Sequence, residues 1–180
     1  MANLIQGVPL IVQNPNWCGY CCLAMVLQYW GYQCTQEALF NHIFGKCEEN
    51  EKYSHKAQIG IGNLAIGVKE LTQLKVRLYS MEIYEKLKAV IPDIAHKILQ
   101  SYLAKGIPCI VRLPSHYNVV IGFSSENDTY IFNETGGSTV ERNLELFNRL
   151  WSDRSTYLSY DSRYLILAIY PEGKINSPNN

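Results

Sequence analysis

The sequence has no surplus of either charge: sixteen lysines and arginines balance sixteen aspartates and glutamates, for a formal net charge of +0. Nucleic-acid binding draws on a basic excess or stripe, so no nucleic-acid partner is expected. Long apolar stretches are missing too. Runs such as 21–27 and 109–111 fall far short of the roughly 20 apolar residues of a membrane-crossing helix, and no membrane role is expected. Residues 1–13, MANLIQGVPLIVQ, lack a basic start followed by an apolar core and a small-residue cleavage site, so no signal peptide is expected. The expected location is therefore the cytoplasm, or the outside of the cell by a non-classical route. No repeat or low-complexity stretch stands out.

What is present is an ordinary globular composition, 47% hydrophobic and 18% charged over 180 residues, enough for one domain with a substantial core. Thirteen tyrosines are scattered, as a core or a peptide-binding groove would have them. Six cysteines, at 18, 21, 22, 34, 47 and 109, are an even number, yet a chain with a full core and no export signal is expected to keep them reduced.

Periodicity divides the chain into two textures. Residues 8–13 read as a short strand or extended entry, broken by Asn14-Pro15-Asn16. From residue 19 to 30, Cys22, Leu23, Val26, Leu27 and Trp30 recur at helical spacing, and Gly31 stands where a helix ends. Thr35 caps a second helix closed by Gly45; residues 46–60 are polar and read as a surface loop on a cleft rim. A third helix is expected over 63–74, a strand at 75–79, and a fourth helix from Pro92 to about Lys105. Then come short β-branched or aromatic runs at 109–113, 117–123 and 129–133, a helix over 141–151 and a buried strand at 164–170. Helices in front and antiparallel strands behind make an α+β fold, not a doubly wound sheet.

Trp17-Cys18-Gly19-Tyr20-Cys21 admits three chemistries. A Cys-x-x-Cys redox pair needs a thioredoxin-like alternation of strand and helix, which does not follow here, so a redox protein is kept only as the third alternative. Zinc needs a second ligand pair, and Cys34, His42, Cys47 and His55 do not supply one at a familiar spacing, so no metal and no cofactor are expected. The third chemistry is a nucleophilic thiol at a helix start, where free backbone N–H groups stabilise the anion. Cys18 occupies that place, and Gly19 leaves room for a substrate backbone. His116, just before a Val-rich strand, is the candidate base. Asn133, at the end of the next strand, comes close to it across an antiparallel pair and is placed to hold its tautomer. Gln13 is the candidate oxyanion donor beside the Cys18 N–H. Each has a plainer reading as core thiol, strand-end histidine, turn asparagine or strand-end glutamine. His42, His55 and His96 read as solvated or capping groups, and Trp17 either lines the cleft or covers the helix end.

The order of these parts, in VPLIVQNPNWCGYCCLAMVLQYWG, LAKGIPCIVRLPSHYNVVIGF and YIFNETGG, resembles papain-like cysteine peptidases, and among them the bacteriocin-processing peptidases that cut after double glycine, with their stand-alone relatives. The resemblance implies a single papain-like domain over 1–174, with a helical N-terminal half packed on an antiparallel sheet; the polar end of the chain is expected to form a disordered tail at 175–180. It implies a Cys18-His116-Asn133 site with Gln13, acting on a peptide or protein substrate. Where the family often has Asp-Pro, this chain has Asn133-Glu134-Thr135, which leaves Glu134 as an alternative orienting residue; the Gln13-to-Cys18 spacing is one residue short. The same parts would serve a deamidase, a transglutaminase-like or a deconjugating enzyme, and a silent peptide-binding module of the same fold is the alternative from another class.

Overall fold

The computed structural model describes residues 2–45, 59–80, 90–114, 116–152 and 163–175. Cys47, His55, most of the expected surface loop and nearly all of the expected tail lie outside the described residues.

Around one antiparallel sheet the chain runs β1 (Ala2–Leu4), α1 (Cys18–Tyr29), α2 (Gln36–Ile43), α3 (Ile61–Leu71), β2 (Lys75–Tyr79) and α4 (Ile91–Leu103). It continues with β3 (Cys109–Leu113), β4 (His116–Ser124), β5 (Thr129–Glu134), β6 (Ser138–Asn143), α5 (Leu144–Trp151) and β7 (Ile166–Tyr170). The strand order is β2-β7-β3-β4-β5-β6, with β1 added against β4. This is the expected mixed class, helices with an antiparallel sheet.

Helix α1 is buried over Gly19–Leu27 on every side, so its apolar residues make a core rod, not only a stripe. It packs, with α2 and α3, on the sheet face that carries Ile110, Val119, Ile121, Leu167 and Ile169. The alternate residues of the same strands, Cys109, Val111, Val120, Ile166 and Ala168, face a second core closed by α4 and α5. The sheet is thus covered on both faces.

Three local expectations are revised. Residues 8–13 form no strand; only Val12 makes a bridge, to Gly136. Residues 141–143 belong to β6, and the following helix begins at Leu144 because the Asn143 side chain accepts from the Leu146 N–H at 2.8 Å. His96 is neither solvated nor a cap: it is 8% exposed, with its ring among Tyr130, Phe147 and Trp151.

Candidate active site

The segment before α1 is held from two sides. Gln36 on α2 clamps its backbone, accepting from the Asn14 N–H at 3.0 Å and donating to the Val12 carbonyl at 2.7 Å. From the sheet side, the Gln13 N–H donates to the Thr135 carbonyl at 2.8 Å. Asn16 takes a left-handed backbone (φ 64°), and the chain turns into the helix. Trp17 is fully buried and stacked on Phe40 at 4.5 Å, so it covers the helix end and does not line a cleft.

Cys18 is therefore the first residue of α1, and no side chain caps the helix. Its half-buried sulfur takes backbone N–H groups from Tyr117, Gly19 and Cys18 itself, and the buried Arg112 adds a favourable charge. These stabilise a thiolate, but burial outweighs them and pushes the Cys18 thiol above its ordinary range. Arg112 lies 5.6 Å from the centroid of the Tyr117 ring, its cross-strand partner.

Gly19 is needed for a reason other than substrate access. A Cβ there would meet Ile59 Cγ2 at 2.6 Å, so the space is filled by the chain entering α3. Cys21 donates to the Ile11 carbonyl at 3.2 Å, and burial, with a smaller contribution from Cys18, pushes its pKa up to about 12. Cys18 and Cys21 are both free thiols. Among the described residues no cluster of three or more His, Cys, Asp or Glu side chains is arranged to hold a metal ion.

His116 opens β4, one residue before the Tyr117 N–H that touches the sulfur. Its Nε2 is bonded to Thr135 Oγ1 at 2.6 Å, and the Thr135 hydroxyl donates to Gln13 Oε1 at 2.8 Å. Burial lowers the imidazole pKa; Glu134 opposes that and Arg142 adds to it. Thr135 thus links Gln13 to His116, and the backbone of the residue after His116 reaches the Cys18 sulfur.

Asn133 does not join them. Its amide donates to the Val8 carbonyl at 3.2 Å and its oxygen accepts from Thr139 at 2.9 Å, so it ties the N-terminal segment to β6. The cause is a bulge in β4. An unbroken register from Ser124↔Thr129 would set Asn133 opposite Val120, on the face of His116. The shift between Val120 and Gly122 sets it opposite Val119, on the other face. The Glu134 carboxylate is paired with Arg142 and favours a charged His116 ring. The side chain on the imidazole is Thr135, beyond the end of β5, which the sequence reading missed. Arg112 was missed as well, although a charge inside the apolar run CIVRL was a visible signal.

A family model described as Peptidase_C39 like family matches residues 5–159. Among solved structures, the chain is similar to a double glycine motif protease from an AMS/PCAT transporter in complex with the leader peptide, with TM-score 0.60, 20% identity and 92% of each chain covered. It is similar to the peptidase domain of Streptococcus ComA, a bi-functional ABC transporter involved in a quorum sensing pathway, with TM-score 0.58, 17% identity, and 92% of this chain and 100% of that one covered. A third structure is the N-terminal peptidase C39 like domain of a toxin secretion ATP-binding protein from Vibrio parahaemolyticus, with TM-score 0.50, 14% identity, and 89% and 99% covered. At these identities the likeness is one of fold. No curated protein matches the chain.

Proposed function

The chain belongs to the Peptidase_C39 like family, and from that premise we propose that it is a cysteine peptidase in which Cys18 attacks the carbonyl of a peptide substrate. The observation that carries this reading is the placement of Cys18, at an uncapped helix start with its sulfur on the N–H next to His116. In this reading His116 takes the thiol proton as sulfur bonds to the carbonyl carbon, then returns it to the leaving amine. A water, activated by the same ring, releases the acid from the thioester. The Cys18 N–H and the Gln13 amide donate to the oxyanion. A peptide substrate is supported by the fold shared with the transporter protease solved in complex with a leader peptide.

The protonation directions say what kind of thiol enzyme this is. Burial raises the thiol and lowers the imidazole, so both are neutral at rest. The proton then moves during attack, and the helix N–H groups and Arg112 stabilise charge as it develops on sulfur. A silent peptide-binding module is the competing reading, favoured by that same raised thiol.

A peptidyl electrophile followed by intact mass measurement separates the two. One adduct is expected on the wild-type chain and none on Cys18→Ala, with peptide cleavage lost in the same variant. An adduct that survives Cys18→Ala, or cleavage that does, sinks the assignment.

A further inference from the structure

Resting on the peptidase reading of Cys18 and His116, we propose that Thr135, not Asn133, is the positioning residue for the imidazole, and that Gln13 sets its tautomer through the Thr135 hydroxyl.

A hydroxyl has one proton to give. At Thr135 that proton goes to Gln13 Oε1 at 2.8 Å. The Thr135 oxygen must then accept from His116 Nε2 at 2.6 Å, so Nε2 carries the ring proton and Nδ1 keeps the lone pair. That is the tautomer a base needs if its other nitrogen is bonded to an orienting group. Papain-like logic assigns this task to an amide or carboxylate; here a hydroxyl does it, passing on the preference of an amide oxygen.

The arrangement is built, not incidental. Thr135 is fully buried, so water does not compete for its hydroxyl. Gln13 is tied to Thr135 twice, by its backbone N–H and its side chain. Gln36 fixes the residues on both sides of Gln13. With Oε1 committed to Thr135, the Gln13 Nε2 is the end left to donate. One amide then does two tasks: its oxygen sets the base and its nitrogen serves the oxyanion.

Nitrogen-15 NMR of the histidine rings tests this without any need for turnover. The wild-type chain is expected to have His116 protonated on Nε2, and a ring protonated on Nδ1 overturns the proposal outright. Thr135→Val removes the hydroxyl at nearly constant volume and is expected to give mixed tautomers, while Thr135→Ser restores the wild-type signal. If Thr135→Val fails to fold, Thr135→Ala and the wild-type spectrum still decide. In peptide cleavage Thr135→Val is expected to lose about 10- to 100-fold in kcat/KM, the worth of one hydrogen bond to a charging group, with Thr135→Ser recovering most of it. Asn133→Ala should lower Tm and leave the tautomer alone. Should Asn133→Ala scramble the tautomer and Thr135→Val keep it, the roles are reversed and the proposal falls. Should Cys18-dependent cleavage be absent altogether, the peptidase reading fails while the tautomer result stands by itself.

Discussion

Two histidines are each bonded to a hydroxyl, one buried beneath α4 and α5 and one half-buried at the start of β4, next to the backbone N–H that reaches the Cys18 sulfur. His116 meets Thr135 at 2.6 Å; His96 meets the Tyr130 hydroxyl at 3.0 Å. Burial lowers the pKa of both rings, although Asn148 and Asp93 partly offset it for His96. A shifted histidine is thus no mark of a site by itself. The hydroxyls behave in opposite ways. Tyr130 accepts from Gln100 at 3.1 Å and has its own proton free for His96 Nδ1, whereas Thr135 spends its proton on Gln13 and accepts from His116. His96 is also enclosed, with the Tyr130, Phe147 and Trp151 ring centroids at 5.5, 5.6 and 5.3 Å. One ring serves packing on the α4 and α5 side; the other lies at a strand end beside a helix N-terminus.

Substitution at these two positions should break the comparison most sharply. His116→Ala is expected to lower kcat/KM about 1,000-fold, the scale of a lost general base, with little change in Tm. A cleavage rate near wild type would remove His116 from the mechanism. Gln13→Ala should come next, at about 100-fold in kcat, as for a lost oxyanion donor. His96→Phe is expected to do the reverse, keeping the cleavage rate and destabilising the fold by about 1–3 kcal/mol, because the buried Tyr130 hydroxyl loses its acceptor. Urea unfolding of the variant measures that loss; a stable but inactive protein would reverse the roles given to the two rings.

The pH dependence sharpens the same contrast with smaller effects. Cleavage needs neutral His116, whose pKa is lowered, so the rate should hold at pH 7 and fall only below about pH 6.5, the ordinary imidazole value. A rate halved well above that pH would contradict the neutral resting pair. For stability, the folded pKa of His96 lies below its unfolded value, so the unfolded chain binds more protons between the two. Its contribution is complete above about pH 6.5 and is lost as pH falls toward the folded pKa. Unfolding free energies at several pH values should therefore show a shallower acid slope in His96→Gln than in wild type.

Much of this fold was legible because its signals are short in range. Helical spacing in 19–30 marked α1, Thr35 its successor's cap, and the β-branched runs 109–113 and 129–133 marked β3 and β5. The texture of the back half hid the start of α5 by a few residues, since Glu141 and Arg142 favour helix locally yet pair with β5. Covering of the sheet on both faces was equally invisible: an apolar stripe on α4 names no side of a sheet it has not met.

From the sequence alone follow the mixed class, a cysteine opening a buried helix and a histidine opening a strand, because period and neighbouring residues decide those. Tertiary structure alone decided who holds the imidazole. One irregularity between Val120 and Gly122 sets Asn133 and His116 on opposite faces, and Thr135, unremarkable in the string NETGG, takes up the ring. It likewise buried His96 and filled the space above Gly19 with Ile59. A side chain's partner depends on register and on which elements meet, and a one-residue slip in a strand reverses every face beyond it.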